Sequence, residues 1–236
     1  MKRVNVYVDG FNFYHGLEKK INDPNSKWEN FFKWCNFREL SKKFIDPEAE
    51  KLQNVFYFTA YSKRNQAKLD RHKKYVKALS YFGNKIILGN FSKITRTYQK
   101  DMPILELLYN SIINKVPFGL KDKLKPELLK YQTYEEKQTD VNIAVKIVED
   151  FFNDKFDVAI IISGDSDIIP AIKTAKKYGK NKRFVNINIP GAKGKAIKKF
   201  CDKCEIIRGE DIKNAIMPYQ IQISSKETVC IPDGWR

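Results

Sequence analysis

The segment "VAIIISGDSDIIPAI", residues 158–172, decides the fold. Apolar residues run without interruption from Val158 to Ile162, into Ser163, Gly164, Asp165, Ser166 and Asp167, and then resume. A strand with one wet face would alternate. An unbroken aliphatic run belongs to a strand covered on both faces, as in a parallel sheet flanked by helices. Asp165 and Asp167 therefore stand at the end of a buried strand, where a carboxylate is costly unless paired or bound to a cation.

The same pattern recurs along the chain. "VNVYVD" (4–9) predicts the first strand, "VFYFTAY" (55–61) the second and "KIILGNF" (85–91) the third. "DVAIIIS" (157–163) is the fourth, "RFVNINI" (183–189) the fifth, and "EIIRG" (205–209) a candidate sixth. Amphipathic helices lie between them. Leu69, His72, Val76 and Leu79 share one face of 65–82, so His72 reads as a packing residue. In 138–153, Ala144, Ile147, Val148, Phe151 and Phe152 form a core-facing stripe. Such alternation predicts an α/β fold of three layers, α/β/α, built from right-handed βαβ units around a mainly parallel sheet. One domain is expected over 1–216, with a C-terminal tail over 217–236 that packs peripherally. Insertions are expected near 22–36, a flap beyond the first strand, and near 114–133, which is rich in lysine.

With 236 residues, 42% hydrophobic and 13% aromatic, the chain can bury one sizeable core. No stretch reaches the ~20 apolar residues of a membrane span, and the N-terminus reads as a strand rather than a signal peptide. A cytoplasmic protein without a membrane partner is expected; a homo-oligomer is left open. Cys201 and Cys204 form a CxxC, half a zinc site at most, and no second pair completes it. The 44 Lys and Arg against 28 acidic residues give +16, a charge that attracts polyanions, nucleic acid foremost. Abundant lysine on ordinary helix faces would produce the same number.

In an open parallel sheet, ligands bind beyond the carboxyl ends of the strands. The first strand delivers Asp9 and Asn12 there, and the fourth delivers Ser163, Asp165 and Asp167. Stepping back from Phe151 through Ile147 and Ala144 lands on Asp140, on the core-facing stripe at the start of its helix, with Thr139 and Lys137 beside it. Asp140 and Asp167 could each be a helix cap. Four aspartates converging on one sheet edge repel one another, however, and a divalent cation resolves this. Mg²⁺ and Mn²⁺ take carboxylate oxygens and keep waters, whereas zinc would call for His or Cys. The GxSxG and GxxxxGK[ST] signatures are absent. Metal-assisted hydrolysis of a phosphodiester is the chemistry these groups suit.

"VYVDGFN" (6–12), "KQTDVNIAV" (137–145) and "VAIIISGDSDIIPAI" (158–172) resemble, in order and spacing, the three motifs of the NYN domain, a branch of the PIN-like nuclease superfamily. The likeness is strongest to bacterial LabA-like members and spans roughly residues 3–208. It implies a PIN-like fold with strand order 3-2-1-4-5. It further implies a Mg²⁺- or Mn²⁺-dependent ribonuclease, with Asp9, Asp140, Asp165 and Asp167 as catalytic metal ligands. Asn12 would bind substrate or support a ligand, and Ser163 would orient the fourth-strand loop. Many relatives carry one more aspartate where this chain has Lys146; six residues from Asp140 is about 600° of helix, well off that face.

"GAKGKAIKKF" (191–200) follows the fifth strand and offers Lys193 and Lys195 as phosphate contacts, with Lys137 a further cation near the acids. Lys63 and Arg64 follow the second strand, and Phe11, Phe13 or Tyr14 could stack a base. Two other functions compete with an endoribonuclease acting on single-stranded or structured RNA. One is a regulatory RNA-binding protein without turnover. The other is a Mg²⁺-dependent phosphohydrolase of small esters, against which stand the basic surface and the missing DxDxT.

Overall fold

The computed structural model describes residues 1–97, 111–112, 114–115, 117, 130–179, 181–188 and 196–236. Six strands build the main sheet: β1 (Lys2–Asp9), β2 (Glu50–Thr59), β3 (Lys85–Leu88), β6 (Val158–Ile162), β7 (Arg183–Asn188) and β8 (Lys203–Ile206). Their order is β3-β2-β1-β6-β7-β8, and every neighbouring pair is parallel. The five expected strands thus keep their expected succession, and β8 extends the edge in a detail beyond a five-stranded sheet. Strand order reverses between β1 and β6, whose register runs from Val4 opposite Val158 to Val8 opposite Ile162. Asp9 and Ser163 are the next residues beyond that pairing, which sets two polar side chains at the switch point.

Alternation along the strands separates two cores. Val4, Val6, Val8, Ile160 and Ile162 face one layer with α1 (Gly10–Ile21), α2 (Phe37–Lys42) and α3 (Gln66–Tyr81). Tyr7, Ala159, Ile161 and Phe184 face the other, with α4 (Thr139–Phe152) and α5 (Ile169–Tyr178). All five residues of β6 are fully buried. At about 1.5–3 kcal/mol for each buried branched side chain, that strand anchors the loop it feeds. At the opposite end of the sheet, the Arg3 guanidinium pairs with Asp154 and Asp157.

Three expectations change. Residues 22–36 are no free flap: a 3₁₀ turn over Asn30–Trp34 buries Phe32 and Trp34 in the first core, and Tyr75 Oη donates to Cys35 O at 2.8 Å. The tail forms an antiparallel hairpin, β9 (Gln220–Ser224) with β10 (Glu227–Cys230), whose Ile221, Val229 and Ile231 join that core with Trp235. Its strands are short, which is why no period stood out in the sequence. Phe152 and Val145 lie exposed on α4, while Ile143, Ile147 and Phe151 face inward with Asp150.

The chain divides into two compact units, 1–90 with 137–236, and 91–136. In the second, β4 (Asn90–Thr97) and β5 (Lys130–Lys137) form a two-stranded sheet in which Arg96 pairs with Glu135. Most of the expected 114–133 insertion, like Lys193 and Lys195, lies outside the described residues. No helix among them is long and apolar enough to cross a membrane.

Candidate metal centre

Asp9 ends β1 and caps α1: its Oδ1 accepts from Asn12 N at 2.9 Å. The chain can turn into a helix so abruptly because residue 10 is glycine. A Cβ at Gly10 would lie 2.6 Å from Tyr57 Cζ and 2.7 Å from Phe58 O, inside any tolerable contact. The other Asp9 oxygen, Oδ2, accepts from Ser163 Oγ at 2.9 Å. Ser163 Oγ accepts in turn from Asp165 N at 3.0 Å, and Gly164 N donates to Asn12 Oδ1 at 3.1 Å. One hydroxyl and one amide therefore lock the "SGDSD" loop to the first turn of α1.

Asp140 arrives from the α4 layer. Gln138 takes a left-handed conformation, φ 77°, and starts α4 without a side-chain cap, so Asp140 sits in the first turn rather than at the cap. Gly89 permits this start: a Cβ there would come within 2.7 Å of Lys137 O and Thr139 Oγ1. Asp9, Asp140 and Asp165 each place a carboxylate oxygen within 4.8 Å of the others. Asp167 is not in that group. Its side chain is exposed, its backbone N–H donates to Asp165 Oδ1 at 2.9 Å, and it does not cap α5. Lys137 is exposed at the end of β5.

Burial pushes the Asp9 carboxyl up to about 7. The hydrogen bonds from Asn12 and Ser163 oppose that rise, and the charges of Asp140 and Asp165 add to it. A buried carboxylate facing two others is short of positive charge, and an all-oxygen donor set of this spacing fits a hard divalent cation such as Mg²⁺ or Mn²⁺. Neither histidine belongs to the group. His72 Nε2 lies 3.0 Å from Thr59 Oγ1, and burial lowers it to about 4.

Lys146 serves a different acid. It pairs with Asp150 Oδ1 at 2.9 Å, and Asp150 Oδ2 also accepts from Tyr7 Oη at 2.8 Å and Asn5 Nδ2 at 3.2 Å. This buried network lies under α4, toward the opposite end of the helix from Asp140. Its signal in the sequence was Asn5 within an apolar strand and Asp150 one helical step from Ile147. Lys146→Met should cost about 1–3 kcal/mol in urea unfolding, because Asp150 stays buried with only neutral partners. Activity per folded molecule should not change. A variant of wild-type stability would remove this role for Lys146.

The NYN domain model matches residues 104–208, a span that holds Lys137, Asp140, Ser163, Asp165 and Asp167 but begins after Asp9 and Asn12. A curated relative, 6-hydroxy-3-succinoylpyridine 3-monooxygenase HspA of Pseudomonas putida (strain DSM 28022 / S16), is 24% identical over 186 residues. The alignment covers 75% of this chain and 56% of that protein, so the chain spans about half the relative's length. Among solved structures, a protein of unknown function from Vibrio parahaemolyticus RIMD 2210633 superposes with a TM-score of 0.49 at 13% identity. That superposition covers 89% of this chain and 94% of the other.

Proposed function

We propose that this chain, which matches the NYN domain over residues 104–208, is a metal-dependent endoribonuclease. The observation that carries the reading is the convergence of Asp9, Asp140 and Asp165 within 4.8 Å at the carboxyl edge of a parallel sheet. These three would hold Mg²⁺ or Mn²⁺. A bound divalent ion supplies charge neutralisation at the phosphate and activation of a water. The protein's own groups do the positioning. Asn12 N and Ser163 Oγ each occupy one lone pair of Asp9 and leave the rest for the centre. Ser163 and Asn12 also fix the backbone from which Asp165 projects.

Asp167, a further carboxylate on the same loop, is assigned to the catalytic metal centre as a ligand outside the close group of three, and Lys137 to substrate as a phosphate contact. Lys193 and Lys195 keep the phosphate-binding role read from the sequence. The excess of basic residues supports RNA as the polyanion, and the four free thiols support a reducing compartment, the cytoplasm. The relative's name denotes oxidation of a pyridine, and a cluster of hard carboxylates does not by itself lead to that substrate.

The test is cleavage of an end-labelled, mixed-sequence RNA with Mn²⁺, Mg²⁺ or EDTA. Cleavage with either ion and none in EDTA is expected. RNA that is bound yet stays intact under every condition would replace the nuclease by a regulatory RNA-binding protein.

A further inference from the structure

Beside the acids, on the β2 side, lies a cluster of rings drawn from three elements. Phe11 stands two residues after Asp9 in the first turn of α1. Its ring centroid is 6.4 Å from His15 and 6.5 Å from His72 on α3. Tyr61 follows β2, with its ring edge-on to His72 at 5.2 Å. Asp9 is in register with Phe58, and β2 ends one residue later at Thr59, so Tyr61 lies on the loop that leaves the same carboxyl edge of the sheet. Phe11 and Tyr61 are half-buried, and His15 is exposed.

Charge surrounds the rings. Lys63, Arg64 and Lys68 are exposed at the end of β2 and the start of α3, and none of them forms an ion pair with a described residue. His72 forms a fixed wall behind Tyr61 through its contact with Thr59. Structural packing alone accounts for His72 and for the buried side of Phe11. It does not account for a half-buried Tyr61 beyond the carboxyl edge of β2 with Lys63, Arg64 and Lys68 exposed close to it in the chain. That combination is how proteins hold single strands: bases stack on rings while cations follow the phosphates.

We propose that Tyr61, with Phe11 and His15, is a base-stacking subsite for single-stranded RNA running from the Asp9–Asp140–Asp165 centre toward Lys63 and Arg64. The assignment rests on the nuclease reading for its direction but not for its test. A duplex keeps its bases stacked on each other and cannot present a face to Tyr61.

Binding is measured by fluorescence anisotropy in EDTA, where no cleavage occurs, with a short labelled single-stranded RNA and with the same RNA annealed to its complement. Tyr61→Ala should weaken single-strand binding roughly tenfold and leave duplex binding unchanged, and Tyr61→Phe should restore it. A single-stranded probe carrying an abasic position in the stacked register should bind wild type as weakly as the intact probe binds Tyr61→Ala. Equal loss for both RNAs, no loss for either, or no single-strand binding by wild type would overturn the subsite. Because the readout is binding, it succeeds or fails independently of whether cleavage is ever seen.

Discussion

Asp165→Asn is expected to lower metal-dependent RNA cleavage on the order of 10³-fold or more, with the fold intact. The substitution keeps the shape of the side chain and its acceptor for Asp167 N but removes one negative charge from the group of three. A neutral amide is a poor partner for a hard cation, and the centre would lose charge where the phosphate needs it neutralised. Asp165 is partly exposed at a loop, so little core energy depends on it. Asp167→Asn is the informative companion. Its carboxylate lies outside the 4.8 Å group and should cost less. Turnover with manganese and magnesium, measured for both variants alongside their thermal unfolding, separates the centre from its surroundings. If Asp165→Asn cleaved as well as wild type, the three-aspartate centre would have to be abandoned.

The second large effect concerns stability, pH and metal together. Asp9 has a folded pKa of about 7 against an ordinary 3.8, raised chiefly by burial. Between those values the native protein holds a proton that the unfolded chain has released. Stability is therefore greatest below about pH 4 as far as this group is concerned, and declines as pH rises through 7. The difference between 3.8 and about 7 corresponds to ~4 kcal/mol at full effect. That is roughly 10 °C of melting temperature in a chain of this size. Metal-free protein in EDTA should thus melt higher near pH 5 than near pH 8. Millimolar Mg²⁺ or Mn²⁺ should raise the melting point at pH 8, because a cation favours the ionised carboxylate. Asp9→Asn should flatten the pH dependence and abolish the gain from metal.

Other acids act in a separate window. Arg3 holds Asp157 well below the ordinary carboxylate range, and Lys182 and Arg3 lower Asp154. Their stabilisation is present above pH 4 and is lost only as pH falls below it. A flat melting temperature from pH 5 to 8 in EDTA would show that Asp9 is not the strained carboxylate its surroundings make it.

The sequence by itself determined the layers, the succession of strands and the edge on which the acids would meet. Unbroken runs such as Val158–Ile162 can only be strands buried on both faces, and a parallel sheet delivers whatever follows each strand to one edge. Asp140 was legible because helical periodicity places it on the stripe that ends at Phe151. Only the tertiary structure decided which carboxylates gather. Asp165 and Asp167 are two residues apart, and the path of a loop, set by Ser163 Oγ and Asn12 Oδ1, turns one toward Asp9 and leaves the other outside. It also decided that Asp9 caps α1, that Lys146 answers a buried Asp150, and that residues 22–36 and the C-terminal hairpin complete the core. Each of these depends on partners far away along the chain. Local periodicity records which face of an element is buried, but the identity of the group it meets there is fixed only when the layers pack.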